Sequence, residues 1–126
     1  KLIITPSRRT GETNREILKD ALLEVPHYLW TGQGDNPYFG LLALADVIVV
    51  TADSVNMVSE AASTGKPVYV AQLPGGSSKF QAFHQRLIDD RVTRVFEGKL
   101  EPYAYSPLDD VALAANRVRA LLRRPL

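Results

Sequence analysis

One stretch decides the fold of this 126-residue chain: Asp46-Val47-Ile48-Val49-Val50-Thr51-Ala52-Asp53-Ser54. Its apolar centre has no polar alternation, which is typical of a parallel strand covered on both faces. Small and hydroxylic residues follow, and a helical pattern begins after them with Asp53 or Ser54 as its cap. The stretch therefore predicts a strand–loop–helix unit of an α/β protein.

The same unit recurs along the chain. Strands are predicted over residues 2–5, 28–31, 47–51, 68–71 and 93–96. Helices are predicted from a capping box at Thr13 and Glu16, over residues 36–44, from residue 54 to Gly65, over residues 78–90, and from a cap at Ser106. The last helix is expected to face inward with Val111, Ala115, Val118 and Leu122 and to end with Arg119, Arg123 and Arg124.

Alternating strands and helices imply right-handed crossovers and a doubly wound sheet. We therefore predict an α/β fold with a parallel five-stranded sheet in the order 2-1-3-4-5. Ligands of such sheets bind at the carboxyl ends of the strands, where the strand order reverses. The loops to inspect are those after the first, third and fourth strands.

The composition narrows the classes of function. Hydrophobic residues make up 45% and charged residues 23%, as in an ordinary globular protein. The net charge of +1 predicts no nucleic-acid or membrane-surface partner. The chain has no cysteine, so it has neither disulfides nor a thiolate metal site. No apolar run reaches the roughly 18–20 residues of a transmembrane segment, and we expect a cytoplasmic protein.

A basic turn, Ser7-Arg8-Arg9-Thr10, follows the first strand. Two guanidiniums between two hydroxyls, beside a helix N-terminus, suit a phosphate group. The alternative interpretation is a solvated turn whose arginines bind nothing specific. The position at the expected reversal of strand order favours phosphate.

The loop after the third strand offers a second set of ligands. Small and hydroxylic residues at a helix start let the backbone approach a phosphate closely, and Glu60 can accept hydrogen bonds from both hydroxyls of a ribose. Alternatively, Asp53 is only a cap and Glu60 only a solvent-facing charge. The residues predicted to bind nucleotide here are Thr51, Asp53, Ser54, Val55, Asn56 and Glu60.

The loop after the fourth strand completes the predicted site. Gly75 and Gly76 allow unusual backbone angles and a close approach to a ligand. Ser77 and Lys79 follow at the start of a helix, where Lys79 suits a phosphate or a sugar carboxylate. The alternative is a surface loop with a solvated lysine.

The two histidines and a glycine pair carry weaker signals. His84 falls on the apolar stripe of its helix, so we expect it packed at the core edge with one hydrogen bond rather than in catalysis. His27 is expected to be structural, and no metal site is predicted. Gly32-Gln33-Gly34 imitates a dinucleotide fingerprint, but Pro37 stands where the third glycine is needed.

Residues 46–54, 57–62 and 65–68 together resemble the core of the mitochondrial-fission protein family named from plants, the elongated-mitochondria type. Its bacterial members are mostly uncharacterised and often labelled nucleoside-diphosphate-sugar epimerases. The basic turn, Asn36-Pro37-Tyr38, Gly75-Gly76-Ser77 and Leu100-Glu101-Pro102 also resemble that family. The match covers nearly the whole chain.

That family is in turn similar to two-domain glycosyltransferases of the GT-B fold. The resemblance implies that residues 1–126 form one nucleotide-sugar-binding domain, the Rossmann-like C-terminal half, without its N-terminal domain. It implies that Glu60 binds the ribose and that Ser54 and Val55 meet the diphosphate. It implies no cofactor beyond a nucleoside diphosphate sugar as ligand, and a general base on the absent domain. The catalytic residues stay unknown.

Two functions stay open. One is sugar transfer by the full-length protein, in which Arg8, Arg9 and Lys79 stabilise the leaving diphosphate; this fragment alone is expected to be inactive. A nucleotide-sugar epimerase is a variant of that hypothesis. The other is a non-catalytic binding or scaffold protein with a role of the organelle-division type.

Overall fold

The computed structural model describes residues 1–123 of an α/β chain; Arg124, predicted at the end of the last helix, lies outside them. The strands are β1 (Leu2–Ile4), β2 (His27–Leu29), β3 (Ile48–Thr51), β4 (Val68–Ala71) and β5 (Thr93–Val95). The helices are α1 (Gly11–Ala21), α2 (Tyr38–Leu44), α3 (Val55–Ser63), α4 (Ser78–Asp89) and α5 (Asp110–Leu122). The five predicted strands are all present.

The strands form two small parallel sheets, so the prediction of one five-stranded sheet is wrong. β1 pairs with β2, and β3, β4 and β5 form a sheet in that order. The predicted pairs between consecutive strands are formed, but the predicted pair of β1 with β3 is not. Consecutive strands are joined by one crossover, whereas β1 and β3 are separated by a further strand and two helices. A short apolar run does not specify so distant a partner.

The chain divides into two compact units, residues 1–44 and the residues from 45 onward. In the first unit, the β1–β2 ladder continues beyond the strands, where the Trp30 amide donates to the Ile4 carbonyl over 3.0 Å. Helix α1 begins at Gly11 rather than at the predicted Thr13. The reason is the basic turn, which closes already at Thr10, whose amide donates to the Ser7 carbonyl over 3.1 Å.

The second unit has its core between the β3-β4-β5 sheet and helices α3 and α4. The central strand β4 is apolar because both of its faces are covered, and Val68 and Val70 are fully buried. Small residues let α3 approach the sheet closely, since Ala61 and Ala62 are also fully buried. This packing fixes the starts of α3 and α4 relative to the sheet.

Residues 101–108, which contain Tyr103 and Tyr105, contact the second unit through the hydroxyls of these two side chains. We call these residues the tyrosine segment. The Tyr103 hydroxyl accepts from the Val68 amide over 2.9 Å and lies 2.7 Å from the Val68 carbonyl oxygen. The Tyr105 hydroxyl donates toward the Lys66 carbonyl over 2.8 Å. These bonds anchor residues that belong to no helix or strand.

Helix α5 starts later than predicted, at Asp110, and its cap is Asp109 rather than Ser106. The Asp109 carboxylate accepts from the Ala112 amide over 2.9 Å, whereas the Leu108 amide donates to the Ala62 carbonyl and so holds the preceding residues out of the helix. The expected inward face of α5 is also wrong, because Val111 is 82% and Leu122 80% exposed. Within residues 1–123, no helix is long and apolar enough to cross a bilayer.

Candidate functional site

The loops after β3 and β4 leave the sheet side by side. Thr51 and Ala71, the last residues of the two strands, are register partners. The Ala52 amide then donates to the Ala71 carbonyl over 2.9 Å. Helices α3 and α4 start after these two loops, so two helix N-termini follow one edge of the sheet. We call residues 51–56 and 72–79 the carboxyl edge.

The first helix N-terminus of the carboxyl edge is capped by Ser54, which resolves the choice between Asp53 and Ser54. Ser54 is 7% exposed, and its hydroxyl accepts from the Met57 amide over 3.4 Å. The amides of Val55 and Asn56, the first two helical residues, have no carbonyl within the helix to bind. They are the donors that an anion would meet there.

Glu60 lies one helical turn after Asn56, on the same face of α3. It is half-buried, and Asn56 is exposed. Among residues 1–123, the Glu60 carboxylate forms no ion pair or side-chain hydrogen bond, so its oxygens remain available as acceptors. Asp53 and Thr51, predicted beside it, are exposed.

The second helix N-terminus of the carboxyl edge follows the two glycines. Gly75 has φ 85° and Gly76 φ 108°, a region that residues with a side chain rarely adopt. Ser77 caps α4, and its hydroxyl accepts from the Phe80 amide over 3.2 Å. Lys79 is exposed in the first turn. The loop therefore has the unusual backbone angles that the glycines predict.

His84 connects α4 to the loop after β3. It is 5% exposed, and its Nε2 lies 2.7 Å from the Ala52 carbonyl oxygen. Because that oxygen only accepts, Nε2 carries the proton, and within the described residues Nδ1 has no partner. His84 is packed with one hydrogen bond, as predicted, but its role in holding the carboxyl edge was missed. Helical spacing shows that a residue is buried and not what it bonds.

The basic turn lies in the first unit and is closed by its own hydroxyls. The Thr10 hydroxyl accepts from the Ser7 amide over 3.0 Å, and the Ser7 hydroxyl accepts from the Arg9 amide over 3.2 Å. Arg8 and Arg9 are exposed at the tip. The hydroxyls thus shape the turn, and the guanidiniums are the groups it presents.

The structure therefore gathers the predicted residues in two groups. The four residues of the basic turn are together in the first unit. The other ten lie along the carboxyl edge and α3 of the second unit: Thr51, Asp53, Ser54, Val55, Asn56, Glu60, Gly75, Gly76, Ser77 and Lys79. No group of three or more potential metal ligands occurs in residues 1–123.

Parallel strands joined by helices, with two capped helix N-termini at one sheet edge, define a Rossmann-like α/β protein. Sequence comparison identifies the family. The chain belongs to the mitochondrial fission ELM1 family, whose sequence profile matches residues 1–122.

Two curated relatives align with most of this chain. The chain is 44% identical over 120 residues to mitochondrial fission protein ELM1 of Arabidopsis thaliana, and the aligned region covers 92% of this chain and 28% of that protein. The chain is 34% identical over 128 residues to an uncharacterized protein of Rickettsia prowazekii, and the aligned region covers 95% of this chain and 36% of that protein. The chain thus spans 28% and 36% of the length of these relatives. No solved structure matches it.

Proposed function

We propose that this chain supplies the nucleoside-diphosphate-sugar site of a GT-B-like glycosyltransferase. The observation that carries the proposal is the pair of helix N-termini at the carboxyl edge, one capped by Ser54 and one by Ser77. Unpaired amides and the positive end of the helix dipole favour a phosphate group. Two such ends that follow neighbouring strands of one sheet suit a diphosphate.

The carboxylate of Glu60 is the proposed ribose ligand. It lies one helical turn beyond the first amides of α3 and is half-buried without an ion pair in residues 1–123. A carboxylate accepts hydrogen bonds through both oxygens, which suits the two hydroxyls of a ribose. The distance of one turn from amides to carboxylate agrees with a nucleotide whose phosphate meets the helix end.

The reaction would be displacement at the anomeric carbon of the sugar. The bond from this carbon to the diphosphate oxygen breaks, and the diphosphate leaves with the electron pair. An acceptor oxygen forms the new bond and gives its proton to a base, which the GT-B resemblance implies on another domain. In the second unit, Lys79 at the start of α4 is the cation proposed to stabilise the leaving diphosphate.

A thermal-shift titration with UDP, GDP, CDP, ADP and NAD tests this proposal. One nucleoside diphosphate, at 100 times its dissociation constant, is expected to stabilise the fold by about 2.7 kcal/mol. Glu60→Ala is expected to abolish that shift. Glu24→Ala, which removes an exposed carboxylate of the first unit, is the matched control and should keep it. A lack of response to all four diphosphates, or an equal effect of both substitutions, would contradict the proposal.

A second candidate is a non-catalytic binding or scaffold protein. The observation that favours it is helix α5, on which Val111, Leu113 and Leu122 are 82%, 70% and 80% exposed. Exposed apolar residues grouped on one element mark an interaction surface. This candidate predicts no nucleotide response in the titration above. A nucleotide-sugar epimerase, by contrast, would respond like the transferase and would differ in releasing an epimerised nucleotide sugar.

A further inference from the structure

A cavity of about 790 Å³ lies in the second unit, between strand β5 and the residues that lead into the tyrosine segment. This volume falls within the range of roughly 300–1,000 Å³ that small-molecule sites have. None of the fourteen residues predicted to bind nucleotide lines it. It is therefore a candidate for a ligand of its own.

Two of the cationic side chains that line the cavity have no partner among residues 1–123. Of its three basic residues, Arg94 is engaged: its guanidinium stands 4.2 Å from the Tyr103 ring centre and 3.6 Å from the Glu101 carboxylate. Arg91 and Lys99 form no ion pair or side-chain hydrogen bond with any residue in 1–123. Glu97 is the one acidic lining residue beside Glu101. Two unpaired positive charges thus face one unpaired negative charge in the lining.

Arg91 also occupies a backbone position that favours glycine. The Arg91 amide donates to the Ile88 carbonyl and the Val92 amide to the Leu87 carbonyl, each over 2.9 Å, which closes α4 in a Schellman motif. Within residues 1–123, Arg91 is the one non-glycine residue with positive φ, at 59°. Glycine adopts this conformation freely, whereas a side chain makes it costly. A costly arginine that lines a cavity suggests a role for its charge.

Two tyrosine rings form a fixed wall of the cavity. Tyr69 and Tyr103 meet edge to face, with ring centres 5.9 Å apart. Both hydroxyls are held by main chain, because the Tyr69 hydroxyl accepts from the Glu101 amide over 2.8 Å and the Tyr103 hydroxyl accepts from the Val68 amide. Both rings are therefore held rigidly, and the half-buried Tyr103, rather than Tyr69 at 4% exposure, is the ring that a ligand can contact.

From these features we propose that the cavity binds a small phosphate ester with an aromatic or apolar body. The phosphate group is bound by Arg91 and Lys99, since both side chains carry a charge suited to phosphate oxygens. The body of the ligand lies against the Tyr103 ring. This site is separate from the carboxyl edge, and the inference does not depend on the proposed function.

The test is a titration of the 126-residue chain with phenyl phosphate, followed by calorimetry and by the shifts of backbone amides. We expect saturable binding with amide shifts concentrated in residues 88–104. Arg91→Gly and Lys99→Gln are each expected to weaken it by about tenfold or more, as for a lost charge-assisted hydrogen bond. Arg117→Gln removes an exposed arginine of α5 outside the cavity lining and is expected to leave the affinity unchanged.

Arg91→Gly also separates a binding role from a structural one. Because glycine relieves the positive φ, this variant is expected to keep or raise the thermal midpoint while it loses affinity. Glu60→Ala is expected to leave phenyl phosphate binding intact, and inorganic phosphate is expected to bind more weakly than phenyl phosphate. The proposal is overturned if phenyl phosphate does not saturate, if the shifts map elsewhere, or if Arg91→Gly and Arg117→Gln act alike. Equal affinity for the two phosphates would overturn the role of the Tyr103 ring.

Discussion

His84 and Ala52 are joined by a hydrogen bond of 2.7 Å, from Nε2 of the ring to the main-chain oxygen. His84 lies in the second turn of α4, whereas Ala52 is the first residue after β3. The bond therefore ties one helix of the carboxyl edge to the loop that begins the other. It is a contact between the two elements that the nucleotide proposal needs side by side.

Replacing His84 should loosen this loop. His84→Leu leaves the Ala52 carbonyl without its donor, and we expect the free energy of unfolding to fall by about 1–2 kcal/mol. His84→Gln retains an N–H donor and should lose less. Urea denaturation measures the stability, and amide hydrogen exchange should become faster at residues 53–57 in His84→Leu. Equal exchange in both variants would contradict the role of the hydrogen bond.

The Tyr103 hydroxyl should contribute strongly to stability. It accepts from the Val68 amide over 2.9 Å and lies 3.0 Å from the Val92 carbonyl oxygen, so it joins the starts of β4 and β5. Tyr103→Phe is expected to lower the free energy of unfolding by about 1–3 kcal/mol, because buried main-chain groups lose their partner. Urea denaturation checks this. Tyr28→Phe, at a tyrosine that is 46% exposed, is the control and should change little.

Alkaline pH should destabilise the second unit through Tyr105. Burial raises the pKa of Tyr105 from 10.0 to about 12, and the neighbouring Tyr103 adds to the shift. Between these two values the unfolded chain loses the phenol proton while the folded chain keeps it, so deprotonation favours unfolding. The stabilisation is fully present below pH 10 and is lost as the pH rises toward 12. Burial raises the pKa of Tyr103 in the same direction.

Urea denaturation between pH 8 and pH 12 measures this loss, with Tyr105→Phe as the comparison. The variant lacks the ionisable phenol, so its stability should fall less steeply above pH 10. At neutral pH it should be less stable than the wild type, because the Tyr105 hydroxyl no longer reaches the Lys66 carbonyl, which lies 2.8 Å away. An unchanged alkaline slope in Tyr105→Phe would assign the loss to other groups.

β4 and Tyr103 show how far the sequence predicts this structure. The bounds of β4 are as predicted, because an apolar run that begins directly after Pro67 is a local signal. Pairing of consecutive strands also follows from short crossovers. Tyr103 instead bonds Val68 across 35 residues, and a hydroxyl bound to main chain leaves no periodicity in the sequence. The prediction that β1 pairs with β3 was wrong for the same reason, because such a pair depends on packing between distant parts of the chain.

In the candidate site, too, local features were predicted from the sequence and contacts between distant residues were not. A cap at Asp53 or Ser54 and unusual backbone angles at Gly75 and Gly76 were predicted from local preferences, and the structure has the cap at Ser54 and positive φ at both glycines. By contrast, the hydrogen-bond partner of His84 and the position of Arg91 beside a cavity could be found only in the folded structure. Local chemistry therefore predicts where a backbone turns or a helix begins. Which side chains meet depends on tertiary packing.

Arg8 and Arg9 are predicted to recognise the diphosphate rather than the nucleoside. Both are exposed at the tip of a turn that is closed by the Ser7 and Thr10 hydroxyls. Arg8→Ala combined with Arg9→Ala should therefore weaken binding of a nucleoside diphosphate far more than binding of the nucleoside. Each lost charge-assisted hydrogen bond should cost about 1.5–3 kcal/mol. Calorimetric titration with both ligands measures the difference.

The matched control for this pair is Arg117→Ala with Arg119→Ala, which removes the same charge from exposed positions of α5. It separates specific contacts from the general effect of net charge on an anion. General attraction acts over a Debye length of about 8 Å at physiological salt and falls as salt is added. If the control pair weakens diphosphate binding as much as the Arg8 and Arg9 pair, only net charge is at work. Another outcome is that the double substitution of Arg8 and Arg9 weakens binding of the nucleoside and of the nucleoside diphosphate equally. That result would show that the turn does not contact the phosphates, because an arginine that binds only phosphate does not contribute to binding of the nucleoside.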